Sequence, residues 1–229
     1  MQLCRFELTE MPGIARAGLF HEGRYYETDG ERALGIHDLS KLRLLPPISA
    51  PPSLRIFDEA DEYRYANPAG IVGPLGDIEI PTSGSSLLAT PAVAWVVKDE
   101  GRFVDEDEAL GFVIGLSPCL VFSGEATGPE RPLAIGPFLA TIDDFPALEM
   151  PGAWGPKATL KIGDSIAVET TGPLRIDIRS AIRRTSQALP LKPGDVLVLP
   201  YSEPGTPVTR NQSLTLDIEG FSPLVIKTQ

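Results

Sequence analysis

Residues 67–81 have the sequence NPAGIVGPLGDIEIP, and the interpretation of the whole chain starts from them. Three dipeptides typical of turns punctuate the stretch, namely Asn67-Pro68, Gly73-Pro74 and Gly76-Asp77. Ile71-Val72 predicts a short buried strand between the first two turns. Ile78 and Ile80 alternate with polar neighbours, as in a half-buried strand. The stretch therefore predicts strand, turn and strand in a β-rich protein.

The composition is that of a folded protein with many turns. The 229 residues are 42% hydrophobic and 22% charged, which is ordinary for a globular chain. The 22 glycines and 23 prolines favour many short strands over a helical bundle. The formal net charge of −11 disfavours nucleic acid and anionic membranes as partners, because phosphate binding needs clustered Lys and Arg.

The sequence carries no signal for a membrane or for secretion. The N-terminus lacks the basic and apolar regions of a secretory signal. The longest nearly apolar run, residues 112–122, is too short to span a bilayer. Cys4 and Cys119 lie far apart and outside any CxxC pattern, so we expect two reduced, buried thiols. These features together predict a cytoplasmic protein.

A proline-rich connector, PPISAPP at residues 46–52, divides the chain. Three short strands are predicted before it, at residues 3–7, 15–20 and 24–27. We therefore predict a small β-rich N-terminal unit over residues 1–50 and a larger domain over residues 51–229. The chain's two histidines, His21 and His37, fall in the N-terminal unit, where we expect them at the surface or in local hydrogen bonds.

Three patterns organise the larger domain. Residues 87–97 predict a core strand, and Pro91 predicts an edge or a bulge there, because proline cannot donate to a strand ladder. The acidic residues 105–108 predict the start of a short helix, with Asp105 as its cap and Glu108 in the reciprocal position. Metal binding by these four acids is the alternative. Residues 177–189 predict an amphipathic helix with the apolar stripe Ile178, Ala181, Ile182, Thr185 and Leu189.

Four phrases, which include Asn67, Gly136, Pro193 and Ile218, resemble signatures of the fumarylacetoacetate hydrolase (FAH) family in the same order. They are similar to that family's NPAAIxGPGDxIxxP, xGPxLVT, LxPGDVI and VxLxIEGxGxL. The resemblance covers most of the chain. It implies an α+β, mostly β fold: a mixed β-roll with few short helices and a small N-terminal β unit. It also implies activity on small 2-oxo or 1,3-dicarbonyl acids by C–C hydrolysis, decarboxylation, tautomerisation or hydration.

The resemblance also implies a metal site, and this chain departs from it there. The family binds Mg²⁺ or Mn²⁺ with three carboxylates, two from an E-x-E strand motif and one from a later Asp. When the strand patterns are aligned, these positions fall on Thr90, Ala92 and Ser117. A hard divalent cation needs charged oxygens, so we predict no bound metal and no other cofactor. An alignment slip is the alternative.

Two further family features are replaced in this chain. The lid that carries a catalytic His shrinks to residues 59–65, which contain no His, and the glycine-rich substrate loop becomes LPYSEP at residues 199–204. Catalytic residues therefore stay unassigned. The weak candidates are Arg55, Asp58, Tyr65, Ser117 and Tyr201. Arg55 would hold a carboxylate and Asp58 would move a proton, whereas Ser117 and Cys119 would be nucleophiles without a visible base.

Two functions of different class follow. The first is a diverged hydrolase, isomerase or decarboxylase that acts on or binds a small 2-oxo or dicarboxylic acid without the divalent metal. The second is a non-catalytic pseudoenzyme, a structural or regulatory subunit of an active homologue. A homodimer is expected, because the family pairs through its large domain and residues 92–97, with Trp95, are expected at an exposed edge. A hetero-oligomer with the homologue is the alternative.

Overall fold

The computed structural model describes residues 1–59, 62–80, 86–124, 132–149, 154–201 and 204–229. Over these residues the protein is mostly β, as the sequence predicts. The strands are β1 (Gln2–Leu8), β2 (Met11–His21), β3 (Arg24–Thr28), β4 (Ala33–His37), β5 (Leu42–Leu45), β6 (Leu54–Glu59), β7 (Glu62–Tyr65), β8 (Ile71–Val72), β9 (Asp77–Ile78), β10 (Leu87–Val97), β11 (Val113–Ser123), β12 (Leu133–Ile135), β13 (Leu139–Ala140), β14 (Ala158–Ile162), β15 (Ser165–Thr170), β16 (Val196–Pro200), β17 (Thr206–Val208), β18 (Ser213–Ile218) and β19 (Leu224–Thr228). One α-helix, α1 (Ile178–Ala188), and short 3₁₀ turns complete the described elements.

The strands form two sheets. The larger sheet has the central order β4-β3-β2-β1-β13-β11-β10-β16-β6-β7, and the smaller has the order β15-β14-β18-β19-β9. The N-terminal strands do not form a sheet of their own, because β1 pairs with β13 through Leu3 opposite Leu139. The predicted boundary between two domains near residue 50 stays a prediction. No helix in the described part of the chain is long and apolar enough to cross a membrane.

The stretch at residues 67–80 carries the chain from one sheet to the other. The Asn67 side chain accepts a hydrogen bond from the backbone N–H of Ala69 at 3.0 Å and so begins a 3₁₀ turn, Pro68–Gly70. Strand β8 then runs parallel to β12 in the large sheet, and β9 runs parallel to β19 in the small one. The turns and the burial of Ile78 and Ile80 are as predicted, whereas β8 is only half-buried. Pro81 lies outside the described residues.

Strand β10 is an interior strand, so the prediction of an edge position was wrong. It pairs with β11 along its length, with β16 over residues 92–96 and with β17 over residues 87–89. Pro91 is accommodated because it lies between the stretches that β16 and β17 cover. Its carbonyl oxygen still accepts a hydrogen bond from the backbone N–H of Tyr201 at 3.0 Å. Trp95 is 1% exposed, so it offers no surface for dimerisation.

The predicted amphipathic helix is present, and the predicted helix cap at Asp105 is not. Helix α1 begins after Asp177, whose carboxylate accepts a hydrogen bond from the backbone N–H of Arg179 at 2.7 Å. The predicted stripe is buried except for Leu189, which lies past the helix end and is 54% exposed. Residues 105–108 form a turn before the 3₁₀ helix Ala109–Phe112, and no side chain caps that helix.

The predictions for the two histidines and the two cysteines are confirmed. His37 Nε2 lies 3.0 Å from a Glu27 carboxylate oxygen, and His21 is exposed beside Glu22. Cys4 and Cys119 are both buried free thiols. Burial raises the pKa of Cys4 to about 12 and also raises that of Cys119, so neither is an activated nucleophile.

Candidate functional site

The three positions matched to the family's metal ligands lie on one face of the large sheet. Thr90 and Ala92 are two residues apart on β10, so their side chains point to the same face. On β11, Ser117 lies opposite Ala94, and Cys119 lies opposite Ala92, which puts Ser117 on that face too. The structure therefore groups the three positions, although Thr90 is half-buried and the other two are fully buried.

This face is packed with apolar side chains. Around Ala92, Ala94 and Cys119, the buried cluster contains Ile48, Leu54, Ile56, Val96, Val121, Leu133, Ile135, Leu139, Val196 and Val198. The Ser117 hydroxyl is buried within it and has no hydrogen-bond partner in the described residues. No group of three or more His, Cys, Asp or Glu side chains that could hold a metal occurs in the described part of the chain. The residues at these positions do not fit a hard divalent cation, which needs charged oxygen ligands.

A polar cluster lies on the opposite face of the sheet, centred on Arg55. Its guanidinium lies over the rings of Tyr63 and Tyr65, 5.8 and 5.6 Å from the ring centroids. Its Nη2 is 3.5 Å from a carboxylate oxygen of Asp195, and both side chains are nearly fully buried. The Nε and Nη1 nitrogens are buried without a hydrogen-bond partner in the described residues. Arg55 is thus a desolvated cation with donors to spare, which favours an anionic or carbonyl partner.

Asp195 is held in place by its own turn and by β6. One carboxylate oxygen accepts a hydrogen bond from the Ser53 hydroxyl at 2.8 Å, and the other accepts one from the backbone N–H of Lys192 at 2.9 Å. Gly194, with a φ of +87°, makes the tight turn that this arrangement requires. The phrase LKPGDV therefore supplies the counter-ion of Arg55, a role that sequence reasoning missed because it assigned the phrase only to a turn.

Tyr63 lies beside Arg55 and also feels the charge of Arg184 on helix α1. Burial raises the pKa of the Tyr63 hydroxyl, and the neighbouring Tyr65 raises it further. The guanidinium charges of Arg55 and Arg184 oppose this rise, because they favour the ionised phenol. Two guanidinium groups therefore act on one tyrosine that the sequence analysis did not select.

The predicted site residues fall into three places. Arg55 and Tyr65 face each other across β6 and β7, as the register shows. Asp58 and Tyr201 are linked by Arg175, which donates to the backbone carbonyl oxygens of both. Ser117 lies on the opposite face of the sheet from Arg55. The replaced lid and substrate loop are described only in part, since residues 60–61 and 202–203 lie outside the described residues.

A groove of about 490 Å³ follows helix α1. Its lining residues are Glu106, Arg175, Ile176, Asp177, Ser180, Arg183, Arg184 and Gln187. Glu106 comes from the acidic run at residues 105–108. Its carboxylate accepts hydrogen bonds from the Ser180 hydroxyl at 3.0 Å and from Arg183 at 3.4 Å. The acidic run is thus connected to helix α1 through Glu106.

Comparison with known proteins identifies the fold. No protein-family model matches the sequence, and no curated protein matches it. Among solved structures, it is similar to 5-carboxymethyl-2-hydroxymuconate delta-isomerase from Mycobacterium smegmatis, with a TM-score of 0.83 and 17% identity over 100% of this chain and 98% of that one. Maleylpyruvate hydrolase from Sphingobium sp. SYK-6 gives a TM-score of 0.83 and 16% identity, covering 100% and 99%.

A third similar structure is 2-hydroxyhepta-2,4-diene-1,7-dioate isomerase from Mycobacterium marinum, with a TM-score of 0.82 and 16% identity over 100% of this chain and 98% of that chain. The Sphingobium hydrolase has also been solved in complex with manganese(II) and pyruvate. At identities this low the likeness establishes the fold alone. The protein has the fold of FAH-family isomerases and hydrolases, as the resemblance of its sequence implied.

Proposed function

We propose that the protein is a metal-independent relative of these enzymes that binds a small 2-oxo or dicarboxylic acid. The observation that supports this most is the apolar packing around Ala92 and Ser117. A divalent cation there would need three carboxylates in a polar, accessible cavity. Thr90, Ala92 and Ser117 instead carry two neutral hydroxyls and one methyl group, and the Ser117 hydroxyl is buried. Bringing a charge into this cluster would cost several kcal/mol or more without a paired ion.

The class of ligand comes from the fold neighbours. Their names describe isomerases and a hydrolase of small carboxylic acids, and one of them holds pyruvate together with manganese(II). In a chain without the metal, guanidinium groups are the natural replacement, because an Arg fork matches a carboxylate in charge and geometry. Arg55 provides such a group on the face opposite the apolar cluster, and Arg175 and Arg184 provide others in the groove along α1.

Binding of an acid does not require the chemistry that a divalent metal supplies. A bound ion supplies carbonyl polarisation and enolate stabilisation, and none of the described residues near Ser117 replaces it. The Cys119 thiol has a raised pKa because it is buried, so it does not supply a thiolate. We therefore expect acid binding without C–C bond hydrolysis.

Isothermal titration calorimetry with pyruvate and oxaloacetate tests this proposal. We expect binding of the same strength in EDTA and in Mn²⁺, and elemental analysis is expected to find no stoichiometric metal. Binding that requires Mn²⁺, or a melting temperature that rises with Mn²⁺ occupancy of a specific site, would contradict this proposal. It would favour a metal-dependent hydrolase instead. Absence of binding to either acid in both conditions would exclude the binding function.

The second candidate is a non-catalytic subunit that associates through β4. This edge strand, ALGIH, has no Asp, Glu, Lys or Arg, and it exposes 59% of Leu34 and 56% of Ile36. The edge strand at the other end, EYRY in β7, carries charges that protect it. Two β4 strands paired antiparallel about Gly35 would set Leu34 against Ile36 and Arg32 against Asp38 of the other copy. We therefore propose a second copy of the chain as the partner.

Light scattering on the purified chain tests the dimer. We expect a dimer that Ile36→Lys converts to monomer, whereas Ile166→Lys, a matched change of an aliphatic residue that is 60% exposed on the edge strand β15, leaves it intact. A monomer at micromolar concentration, or a dimer insensitive to Ile36→Lys, would exclude this surface. Capture of an active homologue by the monomer would favour the hetero-oligomer.

A further inference from the structure

The groove along α1 has the volume of a small-ligand site and an unusual density of arginines for an acidic protein. Its 490 Å³ falls within the range of small-molecule pockets, about 300–1,000 Å³. Three guanidinium groups, those of Arg175, Arg183 and Arg184, line it in a chain whose formal net charge is −11. A cationic groove on an anionic surface concentrates negatively charged ligands.

Arg175 is held rigidly at the wall of this groove. Its Nε donates to the Tyr201 carbonyl oxygen at 3.0 Å, and its Nη1 donates to the Asp58 carbonyl oxygen. These two bonds fix the plane of the guanidinium, and among the described residues its Nη2 has no hydrogen-bond partner. A fixed guanidinium binds an oxoanion at a smaller entropic cost than a flexible one.

The two carboxylates of the groove are not equivalent. Asp177 caps helix α1, and its second oxygen lies 3.8 Å from Arg179, so helix and guanidinium balance its charge. Glu106 instead reaches across the groove to Ser180 and Arg183, with its side chain 43% exposed. The Ser180 hydroxyl and the Arg183 guanidinium are thus already bound to a carboxylate of the chain itself.

We propose that the groove along α1 is the oxoanion-binding site of the protein and that Glu106 competes with the ligand for Ser180 and Arg183. The ligand is a carboxylate of a small acid, and a phosphate group shares the chemistry that the groove recognises. The class of acid rests on the function proposed above, whereas the cationic site itself does not. The site lies on the helix, away from the apolar face where the metal ligands of the related enzymes are expected.

Four variants and two probes test the site by calorimetry at low ionic strength, with oxaloacetate and inorganic phosphate as the probes. Arg184→Gln should weaken binding about tenfold, because it removes one positive charge from the lining of the groove. Glu106→Gln should strengthen binding by about threefold to fivefold, because it removes the internal competitor. Binding should weaken as salt is added.

Two controls make the same changes of charge elsewhere. Arg43→Gln removes an exposed guanidinium paired with Glu7, and Glu100→Gln removes an exposed carboxylate paired with Lys192. Both should leave the dissociation constant unchanged, since neither residue lines the groove. Circular dichroism and thermal unfolding of all four variants would show that the fold is kept, because none of the substituted side chains is buried.

The outcomes separate this inference from the proposed function. Oxaloacetate binding that no groove variant changes would overturn the site and leave the binding function standing. Phosphate binding with the predicted response to Arg184→Gln and Glu106→Gln, but no binding of 2-oxo acids, would support the site and exclude the proposed ligand class. If Glu106→Gln and Glu100→Gln changed the dissociation constant equally, the effect would come from the net charge of the protein and not from the groove. That result would overturn the inference.

Discussion

Substitution of Ala92 by glutamate tests whether the sheet face that carries Thr90, Ala92 and Ser117, the positions matched to the FAH family's metal ligands by sequence resemblance, is closed in this protein. Ala92 is 0% exposed and lies between Cys119 on β11 and Pro200 on β16. A glutamate here would place one carboxylate at a position matched to the E-x-E motif. An open, hydrated site would accept it, whereas the apolar cluster described above would leave the charge desolvated and unpaired.

The expected loss in the free energy of unfolding of Ala92→Glu has two parts. Full burial raises the pKa of a glutamate by about 3 units or more, and each unit corresponds to about 1.4 kcal/mol. At neutral pH the charge therefore costs about 4 kcal/mol in the free energy of unfolding. The added side-chain atoms cost a further ~1–3 kcal/mol through overpacking, independent of pH. The total would be a large fraction of the stability of an ordinary domain.

The pH dependence of the free energy of unfolding distinguishes the cost of the buried charge from the cost of overpacking. The folded pKa of this glutamate lies above its unfolded value, so the variant keeps its stability below the unfolded pKa and loses it as pH rises through the folded pKa. Urea unfolding at a series of pH values should therefore show Ala92→Glu weakening steadily from about pH 4 to about pH 7.5. Ala92→Gln is the matched control, because it adds the same volume without a charge and should show only the pH-independent loss.

One result would refute the closed face. If Ala92→Glu lost less than about 1 kcal/mol and followed Ala92→Gln at every pH, the carboxylate would be hydrated and the cavity open. Stabilisation of Ala92→Glu by Mn²⁺ would point the same way, since a cation would then have found further ligands near Thr90 or Ser117.

Three further predictions address other parts of the fold. Arg55→Gln should lower the free energy of unfolding by about 3 kcal/mol, because it leaves the buried Asp195 carboxylate without its cation; an unchanged urea midpoint would mean that the pair is solvated. The Cys4 thiol, with a pKa of about 12, should react slowly with a thiol reagent at neutral pH and rapidly after unfolding in guanidinium; fast labelling of the native protein would contradict its burial. Gly220→Ala should destabilise the protein more than Gly163→Ala, because both have positive φ but only at Gly220 would a Cβ come within 2.9 Å of a Phe145 ring atom. Equal losses in melting temperature would mean that the ring moves aside without cost.

The features that the sequence alone determined are local ones. Asn67-Pro68 begins a turn because the asparagine side chain can accept a hydrogen bond from a backbone N–H two residues on. Asp177 caps α1 for the same reason, and the periodicity of the apolar residues sets which side of that helix is buried. The turn at Glu22-Gly23 follows from two adjacent residues with positive φ, a conformation that glycine makes easy. Each of these depends on neighbours within a few residues, so each was predictable.

The tertiary structure decided everything that depends on which strands pair. Pro91 lies in an interior strand between the stretches of β10 that pair with β16 and β17, and neither strand is near β10 in sequence. Arg55 was a candidate from the sequence, but its partner Asp195 lies 140 residues away, and only the parallel pairing of β6 and β16 brings the two together. The groove along α1 likewise depends on a long-range contact, the hydrogen bond from the Ser180 hydroxyl to the Glu106 carboxylate. Register and long-range packing determine these contacts, because a shift of one residue along any strand would turn its side chains to the other face.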